Sequence, residues 1–262
     1  NELNQRLNLG SINSINWTRI MAQITYYIYA YNKVKKKTGN SNISFSIPTG
    51  NFGDAYAGYI AKEKFNIPIK KLIVATNKNN ILDRFFRTGI YKKDKVFTTI
   101  SPSMDIQIAS NFERLLYDMT NESGEKVSEF MNSFKEKGVI KVEKKHHQRT
   151  KESFTSFSVN EADTKKRIRK TYNKFNMVID PHTAVGLEAS GKYLDEYPND
   201  IVVTLATAHP SKFSQSVNSI LGFDPNLPFG YKNILNLKEN YQVIDKSYNL
   251  VKNFILKNAT NI

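Results

Sequence analysis

The sequence predicts an α/β fold with a largely parallel sheet flanked by helices. Three observations carry this. Short apolar runs, "ISFSIP", "KKLIVATN" and "DIVVTLATAHP", have the length of buried strands. Segments with helical spacing separate them. The resulting alternation of strand and helix is the pattern of parallel sheets.

Each element follows in chain order. "NSINWTRIMAQITYYIYAYNKV" places Trp17, Ile20, Met21, Ile24, Tyr27, Ile28 and Tyr31 on one wide apolar face. Asn13, Ser14 or Asn16 could cap that helix. A short strand, "ISFSIP", leads into "TGNFGD" and a helix from about Ala55 to Phe65, stopped by "NIP". Leu72 to Ala75 is a buried strand. "NILDRFFRTG" is a short helix closed by Gly89. "SPSMDIQIASNFERLLYDMT" opens with Ser and Pro, and Met104, Ile108, Phe112 and Leu115 or Leu116 repeat at helical spacing, which predicts a helix. Residues 121–151 are charged, with an amphipathic helix around Val127 to Lys137. "TKKRIRKTYNKF" is another helix. Asp180 is the expected N-cap of the next one, with Pro181 at its first position.

Composition narrows the function. The chain has 262 residues, enough for one large α/β domain or two small ones, and 40% of them are hydrophobic, enough for a core. There is no cysteine, which excludes disulfides and thiolate metal sites. No run of about 18 apolar residues exists, so no membrane span is expected. The first residues carry no signal-peptide pattern, and the cytoplasm is the expected location. The chain begins without Met, which suggests a processed product or a fragment. The net charge is +14, but the lysines scatter and the dense runs lack interleaved aromatics. Weak non-specific affinity for nucleic acid is expected, and no specific recognition.

Two features point to anions. Strand, "TGNFGD", then helix is the context in which successive backbone N–H groups cradle a phosphate. Gly50 and Gly53 are expected to supply unusual torsions and close approach, and Asn51 a side-chain donor. The P-loop ending and the dinucleotide fingerprint are both missing. A plain structural turn explains the glycines equally well. The second feature is Arg19, in the first turn of the Trp17 helix. A cation there opposes the helix dipole by up to about 1 kcal/mol, which a bound anion would reverse. Ser14 and Asn13 precede that helix and could donate to the same anion; Arg19 facing solvent or a nearby carboxylate is the alternative. His146 and His147 lie in a charged stretch expected to be exposed. The four histidines show no metal-ligand spacing, and no G-x-S-x-G elbow occurs.

Assembled, these residues resemble the threonine synthases, pyridoxal-phosphate (PLP) enzymes of fold type II related to the tryptophan synthase β subunit. The resemblance rests on "NSINWTRIMAQITYY", "PTGNFGDAYAGYIAK", "ATNKNNILDRFFRTG", "SPSMDIQIASNFERLL", "DPHTAVG" and "LATAHPSKF". They occur in the family's order, from about Gly10 to Phe213. The resemblance implies that Gly50, Asn51, Phe52, Gly53 and Asp54 bind the cofactor phosphate, chiefly through backbone N–H groups. It implies that the Thr207 hydroxyl faces the pyridine nitrogen, and that Asn13, Ser14 and Arg19 hold the substrate phosphate. The implied reaction turns O-phospho-L-homoserine and water into L-threonine and phosphate.

In the family, the lysine that forms the Schiff base lies upstream of these motifs, and no lysine here sits in a matching context. The chain is therefore expected to be the carboxy-terminal part of such an enzyme, one α/β domain over 1–262 that is mainly the large PLP-binding domain. Residues 1–40 would connect from a missing smaller domain, and 121–170 would be a variable charged region. Alone it is expected to be inactive and to depend on a complementary N-terminal segment or chain. The alternatives are a non-catalytic phosphate- or PLP-binding relative, or another fold type II lyase such as a serine or threonine dehydratase.

Overall fold

The computed structural model describes residues 2–7, 10–231 and 233–259. In chain order the elements are α1 (Glu2–Arg6), α2 (Trp17–Thr38), β1 (Ile43–Pro48), α3 (Gly53–Glu63), β2 (Leu72–Thr76), α4 (Ile81–Thr88), β3 (Ile90–Lys92), α5 (Phe112–Met119), α6 (Gly124–Lys137), β4 (Val139–Lys141), α7 (Lys144–Ser153), β5 (Phe154–Ser158), α8 (Glu161–Phe175), α9 (Pro181–Glu196), β6 (Ile201–Thr204), α10 (Ser214–Leu221) and α11 (Tyr248–Asn258). The described residues form two compact units, one within 14–226 and one within 1–13 and 227–262. The first carries all six of these strands. Among the described residues no helix is long and apolar enough to cross a membrane.

The main sheet has the order β5-β2-β1-β6 and is parallel throughout, with Phe45 opposite Leu72, Ser44 opposite Val202 and Leu72 opposite Phe154. β3 and β4 form a separate antiparallel ribbon. The two central strands, β1 and β2, are buried at every position, as parallel strands covered on both faces must be. Alternation along β1 sorts its residues between two layers. Ile43, Phe45 and Ile47 join the larger core, which includes Ile20, Ile24, Tyr27 and Tyr31 of α2 and residues of α3, α4 and α5. Ser44 and Ser46 bond to α9. Ser44 Oγ donates to Tyr193 Oη at 3.3 Å and Ser46 Oγ to the Gly186 carbonyl at 2.7 Å. A Cβ on Gly186 would lie 3.0 Å from Pro48 Cγ and from Thr204 Cγ2, so a side chain there would push these neighbours away from α9.

The caps follow the residue types. Asn16 is the N-cap of α2, its side chain accepting from the Thr18 N–H at 2.9 Å. Asp180 caps α9, with Pro181 at the first position. Gly89 closes α4 in the left-handed region.

Several expectations are corrected. α3 begins at Gly53, two residues before the expected start. The predicted helix from Pro102 is only a 3-10 turn over Pro102–Met104, and the α-helix begins at Phe112. Between them Asp105 ties down the chain. Its Oδ1 accepts from Asn77 Nδ2, Asn79 Nδ2 and Thr99 Oγ1 at 2.7–2.9 Å, and its Oδ2 accepts from the Thr99 N–H at 2.8 Å. These bonds to a half-buried carboxylate outcompete helical bonding for the segment. The charged stretch holds β4 and most of α7 besides its expected helix, and β5 follows it. His146 is buried on α7, not exposed. Trp17 and Met21, placed on the apolar face of α2, are 47% and 51% exposed.

Candidate cofactor and phosphate site

The loop from Thr49 to Phe52 joins the carboxyl end of β1 to α3. It is anchored from both sides. The Thr49 N–H donates to the Ala75 carbonyl of β2 at 2.8 Å, and Thr49 Oγ1 to the Ile47 carbonyl at 2.6 Å. Gly50 packs directly under the 101–105 segment: a Cβ there would lie 2.4 Å from the Ser103 carbonyl oxygen. No side chain can occupy that space.

The unusual torsion expected of the glycines falls elsewhere. Neither Gly50 nor Gly53 has a positive φ. Phe52 does, with φ 65° and ψ 4°. A bulky residue in this region is strained, and such strain persists only where the surroundings impose it. Here the ring is 1% exposed and packs on Phe86, Phe112 and Phe154, with centroids 5.7–6.1 Å away. The aromatic core holds the side chain, and the backbone accepts the torsion.

The consequence is a set of unused donors. Among the described residues, the N–H groups of Gly50, Asn51, Phe52 and Gly53 donate to no protein acceptor. No side chain caps the start of α3 either. Consecutive orphan N–H groups at a helix N-terminus suit an anion, and the phosphate of PLP fits this donor set. Gly53 approaches Asn111, not open space: its Cβ would lie 3.2 Å from Asn111 Nδ2 and 3.6 Å from the Ser14 carbonyl. The close approach expected of Gly53 is thus to the protein.

Asp54 follows in the first turn. Tyr27 Oη donates to its Oδ1 at 3.1 Å and to its carbonyl at 2.7 Å. Burial of the carboxyl pushes its pKa up to about 6, against the lowering effect of the Tyr27 bond.

The turn before α2 comes up against this loop. Ser14 is half-buried, its Oγ 3.3 Å from Ser110 Oγ. Arg19 is exposed in the first turn of α2. Asn13 belongs to the other compact unit. Thr207 is exposed in the loop after β6. Because β6 runs parallel beside β1, with Ser46 opposite Thr204, the Thr207 loop and the Gly50 loop leave the same end of the sheet. That end is where open α/β sheets bind ligands.

Sequence reasoning gave no role at the site to three supporting residues. Asn111, wholly buried, bonds to the carbonyls of both Ser14 and Asn51. His182 Nε2 accepts from the Ser103 N–H at 3.2 Å, and its ring lies 4.7 Å from that of Phe213. Asp180 accepts from His182 Nδ1 at 2.8 Å and from the Thr183 hydroxyl. Burial would raise the pKa of Asp180, but the bonds from His182 and Thr183 outweigh it and hold the carboxyl below its ordinary range. The signal available for Asn111 was its position before a helical run, which predicts a cap. Its side chain caps nothing in α5.

The family model described as threonine synthase, C-terminal, matches residues 183–255. The threonine synthase of Saccharomyces cerevisiae is 40% identical over 278 residues, covering 97% of this chain and 54% of that protein. The chain is similar to the threonine synthases over nearly all of its own length. The Pseudomonas aeruginosa threonine synthase is 39% identical, over 94% of the chain and 52% of that protein. Among solved structures, a PLP-bound threonine synthase from Brucella melitensis superposes with a TM-score of 0.88 at 36% identity, over 97% of the chain and 54% of its own. The chain spans about half the length of the curated threonine synthases it matches.

Proposed function

We propose that this chain carries the phosphate-binding part of a PLP-dependent threonine synthase, which converts O-phospho-L-homoserine and water into L-threonine and phosphate. The observation that carries the reading is the row of unused N–H groups from Gly50 to Gly53 around the strained Phe52. In this reading the backbone of Gly50, Asn51, Phe52, Gly53 and Asp54 holds the cofactor phosphate. The Thr207 hydroxyl would serve as the neutral partner of the pyridine nitrogen. Bound there, PLP supplies an electron sink for the carbanions left when protons leave Cα and Cβ. Arg19 and Ser14 hold the substrate phosphate. The Arg19 guanidinium orients that group and stabilises its charge as it departs from Cγ. The proton shuttle is a lysine supplied from outside these residues, on a complementary segment or chain.

The reading is tested by incubating the full chain with PLP, reducing with borohydride and measuring intact mass. Reversible binding of PLP without a covalent adduct is the expected result. A single stoichiometric adduct would place the tethering lysine within the chain. Failure to bind PLP at all would remove the cofactor assignment.

A further inference from the structure

Asn111 is 0% exposed at the start of α5. Its Nδ2 donates to the Ser14 carbonyl at 3.0 Å and to the Asn51 carbonyl at 3.1 Å. Its backbone N–H donates to the same Asn51 oxygen at 3.0 Å. The side-chain oxygen is fixed in turn: Arg114 Nε donates to Oδ1 at 3.2 Å, while Arg114 Nη2 donates to the Ile15 carbonyl at 2.9 Å. One buried amide therefore reaches the two segments that carry the anion-binding residues. All of its donors and its acceptor are used within the protein.

We propose that Asn111 is a positioning residue that sets the substrate-phosphate turn against the cofactor-phosphate loop, aligning both anion subsites through one side chain. The inference rests on the function proposed above. The geometry explains how it acts. In a trans peptide the C=O and the following N–H point in opposite directions. Two donors on the Asn51 carbonyl pull that oxygen toward Asn111, so the Phe52 N–H is turned away from it, out of the protein's own bonding. The same amide holds the Ser14 carbonyl, while Ser110 meets the Ser14 hydroxyl. Aspartate at 111 has the same shape but no donor. It would set a carboxylate oxygen against two carbonyls, leaving the Ser14 carbonyl without its donor and the Asn51 carbonyl held by the backbone N–H of residue 111 alone.

The test titrates the full chain separately with PLP and with O-phospho-L-homoserine by calorimetry, in wild type, Asn111→Asp and Leu115→Ala. Leu115 is buried in the same helix. Its truncation is the control for destabilisation alone. Asn111→Asp is expected to weaken both affinities by about tenfold, the scale of a lost buried hydrogen bond. Leu115→Ala is expected to lower Tm and leave both affinities unchanged. Retention of either affinity in Asn111→Asp, or an equal loss in Leu115→Ala, overturns the inference while leaving the proposed function intact. If Asn111→Asp does not fold, Arg114→Lys decides. A paired loss of about threefold supports the inference, and unchanged affinities overturn it. A wild type that binds neither compound removes the proposed function, and the inference with it.

Discussion

The loop after β1 and the turn before α2 are built from different parts. The loop offers main-chain N–H groups, while its bulky side chain, Phe52, is sunk in the aromatic core. The turn and the start of α2 offer side chains, Ser14 and Arg19, on half-buried and exposed positions. A backbone site depends on whatever holds the backbone in place. A side-chain site depends on the identity of the residue itself. Damage to the first should therefore cost stability and binding together, and damage to the second should cost binding alone.

Phe52→Ala is the severest probe of the loop. Emptying a buried aromatic site costs about 3–5 kcal/mol. Urea denaturation should show that loss, and PLP affinity should fall with it. A variant that loses the stability but keeps full PLP affinity would show that the ring does not hold the cradle.

Arg19→Ala examines the turn. Loss of a charged hydrogen-bond partner costs about 1.5–3 kcal/mol, or about ten- to a hundredfold in affinity for O-phospho-L-homoserine. PLP affinity should stay unchanged, because Arg19 lies in α2 and not in the cofactor loop. Loss of PLP with retained substrate binding would contradict the assignment.

Gly50→Ala returns to the loop with a smaller change. The added Cβ meets the Ser103 carbonyl oxygen at 2.4 Å, so one segment must shift. Overpacking of this kind costs about 1–3 kcal/mol. Thermal unfolding and PLP titration should register it together.

Asp54→Asn is the mildest. The folded-state pKa of Asp54, about 6, lies above the ordinary value of 3.8. The folded state therefore holds the proton more tightly, and wild-type stability falls as pH rises from about 4 to about 6. The Asn variant should lack that slope and be more stable above pH 6 by about 1–2 kcal/mol. Parallel pH-stability curves for the two proteins would count against a buried charge at this position.

Legibility in the sequence followed physical cause. β1 and β2 were readable because strands covered on both faces become continuous apolar or small-residue runs. The caps at Asn16, Asp180 and Gly89 were readable because local hydrogen bonding or a left-handed torsion selects those residue types. β5 was not, because "FTSFS" is mostly half-buried at the sheet edge and carries little of the apolar signal. The segment after Pro102 had helical spacing, yet the Asp105 network, assembled from residues up to 28 positions away, overrode it.

The candidate site divides the same way. Residue order alone revealed a strand, a glycine turn and a helix start, since each is a local preference of the chain. It also revealed a cation misplaced at a helix N-terminus, because the helix field is local too. The assignment of the strain to Phe52 instead of the glycines came from the packing of Phe86, Phe112 and Phe154 around its ring. The join between Ser14 and Asn51 came from Asn111, 97 and 60 positions away. Such contacts depend on which distant segments the sheet order brings together, and no local pattern in the chain encodes that choice.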